Sequence, residues 1–227
     1  MIEVSEGWKA RYPGACVGIL VMRGARNPSP PGELERQREK VEAGLRDRFA
    51  AGGREALGAD PVMTAYGAYY RQFRKTYHVA AQVESVVWKG RKIPSISALV
   101  QAMFMAELKN GLLTAGHDLG HVVAPVRIGT GTGAESYVGM GGKECLVKQD
   151  DMMIADRTGV ISSIIGGPDA RTAIGPDTKE LLFTVYAPAG IGVDRVRAHL
   201  EDIRAFVGIA TPGTATETLE VVQAPGA

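Results

Sequence analysis

Residues able to do chemistry concentrate between positions 93 and 179. His117 and His121, in the run His117-Asp-Leu-Gly-His121, stand four apart, the spacing that places two imidazoles on one helical face to hold zinc. Here the acid between them is Asp118, one methylene shorter than the glutamate of that pattern, Gly120 interrupts a helix, and no third ligand is signalled. No metal is expected, and the run reads as a turn in which Asp118 caps the next segment. Gly129-Thr-Gly-Thr-Gly133 has the composition of a phosphate cradle, yet neither a lysine at P-loop spacing nor a helix comes after it. A hairpin turn is expected there. Two further clusters set glycines beside charges at strand ends: Gly141, Gly142, Lys143 and Glu144, then Gly166, Gly167, Pro168 and Asp169 with Arg171 and Thr172. Such clusters are frequent binding sites, and turn chemistry alone also accounts for them. Ser95, Ser97, His78 and His199 have no base or acid at fixed spacing, so no nucleophile–base set stands out.

The elements that must position these residues are read from hydrophobic periodicity. Residues 15–22, bounded by Pro13-Gly14 and Gly24, are continuously apolar and predict a strand buried on both faces. Ser29-Pro-Pro-Gly32 opens a helix with Leu34, Val41, Leu45 and Phe49 on one face, Glu42 and Arg46 paired outside, and Gly52-Gly53 at its end. Asp60-Pro61 starts a second helix through Tyr66, Tyr69, Tyr70 and Phe73, whose tyrosines suit either core packing or a pocket wall. A third helix is expected over 80–88. From Ser97 a helix apolar nearly all round predicts the central buried element, stopped by Asn110-Gly111. Short strands are then expected at 122–128, 135–140, 145–147, 152–155, 160–165 and 180–186. A last helix carries Val193, Val196, Leu200, Ile203 and Val207, and 208–227 reads as a loop, a candidate edge strand at 218–222 and a loose tail. With no repeats and no linker of distinct composition, one domain over 1–227, its core at about 12–207, is the expected organisation.

Composition bounds the function. The chain has 227 residues, 45% hydrophobic and 22% charged, enough to build a core without staples. A net charge of +1 gives no footprint for a long nucleic-acid backbone, so DNA is not an expected partner. A local basic patch of Arg71, Arg74, Lys75, Lys89, Arg91 and Lys92 is the candidate RNA surface. Cys16 and Cys145, two thiols only, read as reduced and structural. No apolar run is long enough to span a membrane and 1–8 lacks an apolar signal core, so a cytoplasmic location is expected.

Several segments also occur in a familiar order. Lys89-Gly-Arg-Lys-Ile-Pro-Ser-Ile96, Ala115-Gly-His-Asp-Leu119, Gly141-Gly-Lys-Glu144, Ile154-Ala-Asp156 and Thr178-Lys-Glu-Leu-Leu182 resemble the B3/B4 domain. This is the editing domain of the β chain of bacterial phenylalanyl-tRNA synthetase. Val17-Gly-Ile-Leu-Val-Met-Arg-Gly24 and Tyr70-Arg-Gln-Phe73 resemble free-standing members, so the similarity runs over about 12–207. The resemblance implies an α+β domain in three layers, with an unusual β-sandwich element flanked by helices. It also implies hydrolysis of tyrosine mischarged onto the phenylalanine tRNA, in a pocket between the buried helix, the turn after it and the later glycine-rich strand ends. The family's polar residues fall here on Met103, Phe104, Ala115 and Pro168, the last beside Asp169. What the resemblance implies is therefore a trans-editing deacylase acting on an aminoacyl ester or aminoacyl-tRNA. Its expected catalytic residues are His117, Asp118 and Asp169. Its expected pocket is Met103, Phe104, Ala115, Gly141, Gly142, Lys143, Glu144, Gly166, Gly167, Arg171 and Thr172. The alternatives are a pocket repurposed for a small amino-acid-like metabolite, and a non-catalytic module that binds tRNA or protein. No cofactor is expected, and the sequence leaves the oligomeric state open.

Overall fold

A computed structural model describes residues 2–226, and within it the chain has an α+β fold. The continuous apolar run near the start is β2 (Cys16–Arg23). It lies inside an antiparallel sheet ordered β11 (Ala215–Gln223), β2, β10 (Glu180–Ala187), β3 (Thr114–Asp118). Both faces of β2 are covered, which is why its sequence shows no alternation. Helix α7 (Val193–Ala210) packs on it so closely that a Cβ at Gly18 would stand 2.7 Å from a Val196 methyl. Glycine is what permits that approach.

A second sheet runs β1 (Ile2–Val4), β4 (Val126–Thr130), β7 (Met152–Asp156), β8 (Gly159–Ser163), β9 (Gly167–Pro168). Only its β1–β4 pair is parallel. The hairpin β5 (Ser136–Val138) and β6 (Glu144–Leu146) forms its own two-stranded ladder, packed against β8 through Tyr137, Val147 and Val160.

The helical half opens with the short α1 (Glu6–Arg11) and continues through α2 (Gly32–Ala50) and α3 (Gly53–Ala59). Helix α4 (Pro61–Gln72) begins where Asp60 accepts hydrogen bonds from the Val62 and Met63 N–H groups, with Pro61 in the first turn. Helices α5 (His78–Lys89) and α6 (Ala98–Asn110) both end on a left-handed glycine, Gly90 and Gly111. Helix α6 touches α2, α5, α7 and β3, so residues around its whole circumference are buried, as its unbroken apolar composition requires. Among the described residues no helix is long and apolar enough to cross a membrane.

The structure departs from the sequence-based expectation at four places. Gly129 to Gly133 does not close a hairpin between neighbouring strands: β4 pairs with β1 and β7, whereas β5 pairs with β6. Gly131 is held under Lys148, where an added Cβ would lie 2.4 Å from the carbonyl oxygen, so close packing explains that glycine. Glu42 is not on the outside of α2. It is buried, accepts a 2.9 Å hydrogen bond from the Ile93 N–H and sits 3.6 Å from Arg38 as well as Arg46. The segment entering α6 needs an acceptor there, and Glu42 supplies it. Of the turn expected over 117–121, His117 and Asp118 end the strand β3, whereas Leu119–His121 is a single 3-10 turn that Asp118 caps through the Gly120 N–H at 2.9 Å. Finally, β11 spans nine residues against β2, and Ala224 beyond it is buried and bonded to the Ala15 carbonyl at 2.9 Å, so 215–224 is part of the sheet and not loose.

Candidate functional site

The C-terminal half of α6 and the strand β3 after it form two walls of a cleft of about 820 Å³. Residues Val100, Met103, Phe104 and Glu107 project from α6 at positions three and four apart, one stripe of the helix. Thr114, Ala115 and Gly116 of β3 form the adjoining wall. Opposite lie residues 164–168, from the end of β8 into β9, and the loop 173–176. His78 and Gln82, one turn apart on α5, close one side, while Ile96 and Met140, both exposed, border the cleft. Its size and apolar lining suit a small organic ligand.

A set of tyrosines holds these walls in place. The Tyr66 hydroxyl donates to the Tyr186 carbonyl and accepts from the Leu113 N–H at 3.0 Å. Tyr70 donates to the Ile164 carbonyl at 3.1 Å, and Tyr77 to the Gly111 carbonyl at 2.9 Å. Tyr69 donates to Asp151 Oδ1 at 2.7 Å, and the other oxygen of Asp151 accepts from the Ile165 N–H at 3.0 Å. Burial pushes the Asp151 carboxyl up to about 6, against the pull of its hydrogen bonds from Tyr69 and Ile165. Rings of Tyr66 and Tyr77 stack 4.2 Å apart. None of these tyrosines lines the cleft. Tyr66 and Tyr70 bond the backbone of the lining residues Leu113 and Ile164, and Tyr69 reaches the Ile165 N–H through Asp151, so the aromatic density of α4 is support for a pocket wall.

The polar group with the most unusual setting in the cleft is Glu107, which belongs to none of the sequence motifs. It is buried in the last turn of α6, and one carboxyl oxygen accepts the Thr114 N–H at 2.9 Å. Burial drives its carboxyl up to about 8, opposed by that one hydrogen bond. At neutral pH it is therefore largely a neutral acid. The sequence does hold a signal for it: a lone carboxylate in an otherwise apolar helix, four residues after Met103 and hence on the same face. Thr114 cannot serve as a nucleophile. Asn110 Nδ2 donates to His199 Nδ1 at 3.0 Å, His199 Nε2–H donates to the Thr114 hydroxyl at 2.7 Å, and that hydroxyl donates to the Leu112 carbonyl at 3.1 Å. This chain of bonds fixes the tautomer, and burial lowers the His199 pKa to about 3, so the ring stays neutral.

His117, Asp169, Thr172 and Arg171 come together, but behind the cleft wall. His117 Nδ1 lies 2.7 Å from the Thr172 hydroxyl, which itself donates to Asp169 Oδ1. Burial, helped by the positive charge of Arg171, lowers the His117 pKa to about 3, and its Nε2 has no partner among the described residues. Arg171 bridges Asp156 at 3.0 Å and Asp169 at 3.6 Å. Burial raises the Asp156 carboxyl, yet hydrogen bonds from Thr158, Val123 and Arg171 prevail and bring it to about 2. Asp118 accepts from the Thr178 hydroxyl at 2.7 Å. The cluster pins 169–178 against β3, and so positions the loop 173–176 that does line the cleft.

Of the expected pocket residues, Met103, Phe104, Ala115, Gly166 and Gly167 line the cleft. Gly141, Gly142, Lys143 and Glu144 lie at the exposed tip of the β5–β6 hairpin, which sends only Met140 to the cleft, while Arg171 and Thr172 belong to the buried cluster. The six expected basic residues are all exposed but do not form one patch. Arg71, Arg74 and Lys75 precede α5, whereas Lys89, Arg91 and Lys92 stand at and beyond its end, separated by a twelve-residue helix, or about 16 Å at about 1.5 Å per residue. Lys75, in the first group, precedes by three residues His78, which lines the cleft. No group of three His, Cys, Asp or Glu residues is placed to hold a metal among the described residues. His117 is buried and His121 exposed, so they do not face a common ion.

No protein-family model matches this sequence, and no curated protein does. Among solved structures, the chain is similar to an N-terminal fragment of the phenylalanyl-tRNA synthetase β subunit from Pyrococcus horikoshii. The TM-score is 0.51 at 12% sequence identity, over 95% of this chain and 50% of that one. The likeness is one of fold. This chain thus spans half the length of the synthetase fragment.

Proposed function

We propose that the cleft binds the aminoacyl portion of an aminoacyl ester, as carried by aminoacyl-tRNA, and that the chain acts on it as a trans-editing deacylase. One observation carries this: a cleft of about 820 Å³ is walled by apolar side chains and holds a single buried carboxyl, Glu107. An apolar amino-acid side chain fits such walls, and its polar end needs a partner in a low-dielectric site. The fold likeness to a phenylalanyl-tRNA synthetase β fragment supports the substrate class. Hydrolysis requires water to be oriented and its proton accepted, because the hydroxyl of Thr114 is committed within the fold. Glu107, with a pKa near working pH, is the group suited to accept that proton. Arg74 and Lys75, exposed ahead of α5, would meet phosphates of a nucleic-acid portion outside the cleft.

The test is a deacylation panel with aminoacyl-tRNAs bearing small, aliphatic and aromatic amino acids. Release of one class well above the uncatalysed rate, lost in Glu107→Gln, supports the assignment. Uncatalysed rates across the panel remove the hydrolytic step. Tight binding without release instead favours a repurposed pocket, for which the apolar lining by Met103, Phe104 and Ala115 is the specific observation.

A further inference from the structure

We infer that His199 is a positioning residue for Glu107: it braces the end of α6 against the start of β3 and so holds the Thr114 N–H on the Glu107 carboxyl. This rests on the proposed role of Glu107 and specifies what aligns that carboxyl.

The direction of every bond in the brace follows from its outer end. The Asp202 carboxylate of α7 only accepts, so the Asn110 group 2.8 Å from its Oδ2 is the side-chain NH2. That nitrogen only donates, and its second hydrogen goes to His199 Nδ1 at 3.0 Å. The imidazole proton therefore sits on Nε2, which donates to the Thr114 hydroxyl at 2.7 Å. The hydroxyl donates onward to the Leu112 carbonyl at 3.1 Å. Lys109, 2.6 Å from Asp202 Oδ1, anchors the outer end. His199 is fully buried, does not line the cleft and has both ring nitrogens engaged, so it acts on the cleft only through Thr114.

Glu107 and Asn110 stand on α6 and Thr114 opens β3, so the brace spans the same two elements as the Glu107 bond. Tyr66 and Tyr77 hold the Leu113 N–H and the Gly111 carbonyl between them, whereas the Thr114 side chain is held by His199. Among the described residues the Thr114 N–H is the one hydrogen bond to the Glu107 carboxyl, and it favours the ionised form against burial. Groups facing Glu107 from packed elements are Tyr66 and Tyr70 of α4 and Tyr77 ahead of α5, all held protonated by burial. His78 of α5, on the same cleft, and His199 of α7 are kept neutral by burial. Lys109 and, from α2, Arg48 lie at the end of α6 and are committed to Asp202 and Asp60. None supplies a positive charge to take the place of the Thr114 bond.

Losing a hydrogen bond to an ionised carboxylate should raise the Glu107 pKa by at least about one pH unit. For a group already at about 8, that rise lowers the ionised fraction at pH 7 about tenfold. The test follows the Glu107 side-chain carboxyl by carbon-13 NMR against pH, assigned through its loss in Glu107→Gln, beside the pH profile of deacylation. His199→Leu breaks the brace at its centre, and Thr114→Val breaks it with a smaller change of shape. Both should shift the Glu107 titration upward by that amount. Both should also lower kcat about tenfold at pH 7, with KM nearly unchanged and kcat recovering as pH rises. His199→Gln, whose amide accepts from Asn110 and donates to Thr114, should titrate like the native protein. Thr114→Val carries the test where circular dichroism shows His199→Leu unfolded. An unshifted Glu107 resonance in the folded variants overturns the positioning role, and deacylation by the native protein then leaves the aminoacyl reading standing. Uncatalysed rates in the native protein overturn the hydrolytic reading, while the resonance shift still decides the brace.

Discussion

Replacing Glu107 by glutamine offers a direct measure of how far the cleft floor is withdrawn from water. Burial raises the Glu107 carboxyl from an ordinary 4.5 to about 8. Between those values the folded chain holds a proton that the unfolded chain has released. Stability therefore falls as pH rises across this window, and the contribution present below 4.5 is fully lost above about 8. At about 1.4 kcal/mol per pH unit, the rise corresponds to at most about 5 kcal/mol. Glu107→Gln fills the same space, still accepts the Thr114 N–H and does not titrate. Other groups shape the native pH profile as well, among them Asp151, His117 and His199, but they are common to both proteins and cancel in the difference. The assay is urea unfolding of both proteins at intervals from pH 5 to pH 9. The native protein should lose stability relative to the variant by several kcal/mol, with the steepest change between pH 5 and pH 8. A difference that does not vary with pH would show an ionised, hydrated carboxylate and refute the desolvated floor.

Two further outcomes probe the supporting structure and the surface. Tyr66→Phe removes the hydroxyl shared by the Leu113 N–H and the Tyr186 carbonyl, leaving two buried backbone groups unpaired; chemical denaturation should show a loss of about 2–4 kcal/mol, and a change below about 0.5 kcal/mol would mean that this clamp is not formed. Charge reversal at Arg74 and Lys75 should weaken tRNA binding and flatten its salt dependence, while reversal at Arg91 and Lys92, beyond the far end of α5, should leave both nearly unchanged. Equal effects from the two pairs in a filter-binding salt titration would contradict that assignment.

Much of the scaffold is legible in the sequence because its signals are local. The apolar run of β2, the Asp60-Pro61 start of α4 and the Asn110-Gly111 end of α6 each depend on neighbours within a few residues. The features that are not legible depend on distant partners. Thr172 stands 55 residues from His117, yet their hydrogen bond turns an apparent metal pair into one half of a buried polar brace. Glu42 reads as a surface ion-pair partner until the Ile93 N–H, 51 residues away, needs an acceptor. Strand pairing is hidden for the same reason: 129–133 has hairpin composition, whereas the register is set by β7 from further along the chain. Met103, Phe104 and Ala115 mark the cleft in the sequence, but Glu107 is masked by the very feature that marks α6 as buried, its apolar surroundings.

Whether the cleft between α6 and β3 receives an aminoacyl group can be seen in a crystal structure with a non-hydrolysable 3′-amide analogue of aminoacyl-adenosine. The amino-acid side chain should lie against Met103 and Phe104, with the aminoacyl carbonyl toward Glu107 and the adenosine leading out toward the residues preceding α5. An analogue bound elsewhere on the chain, or seated with its nucleoside beside Glu107, would contradict the aminoacyl assignment.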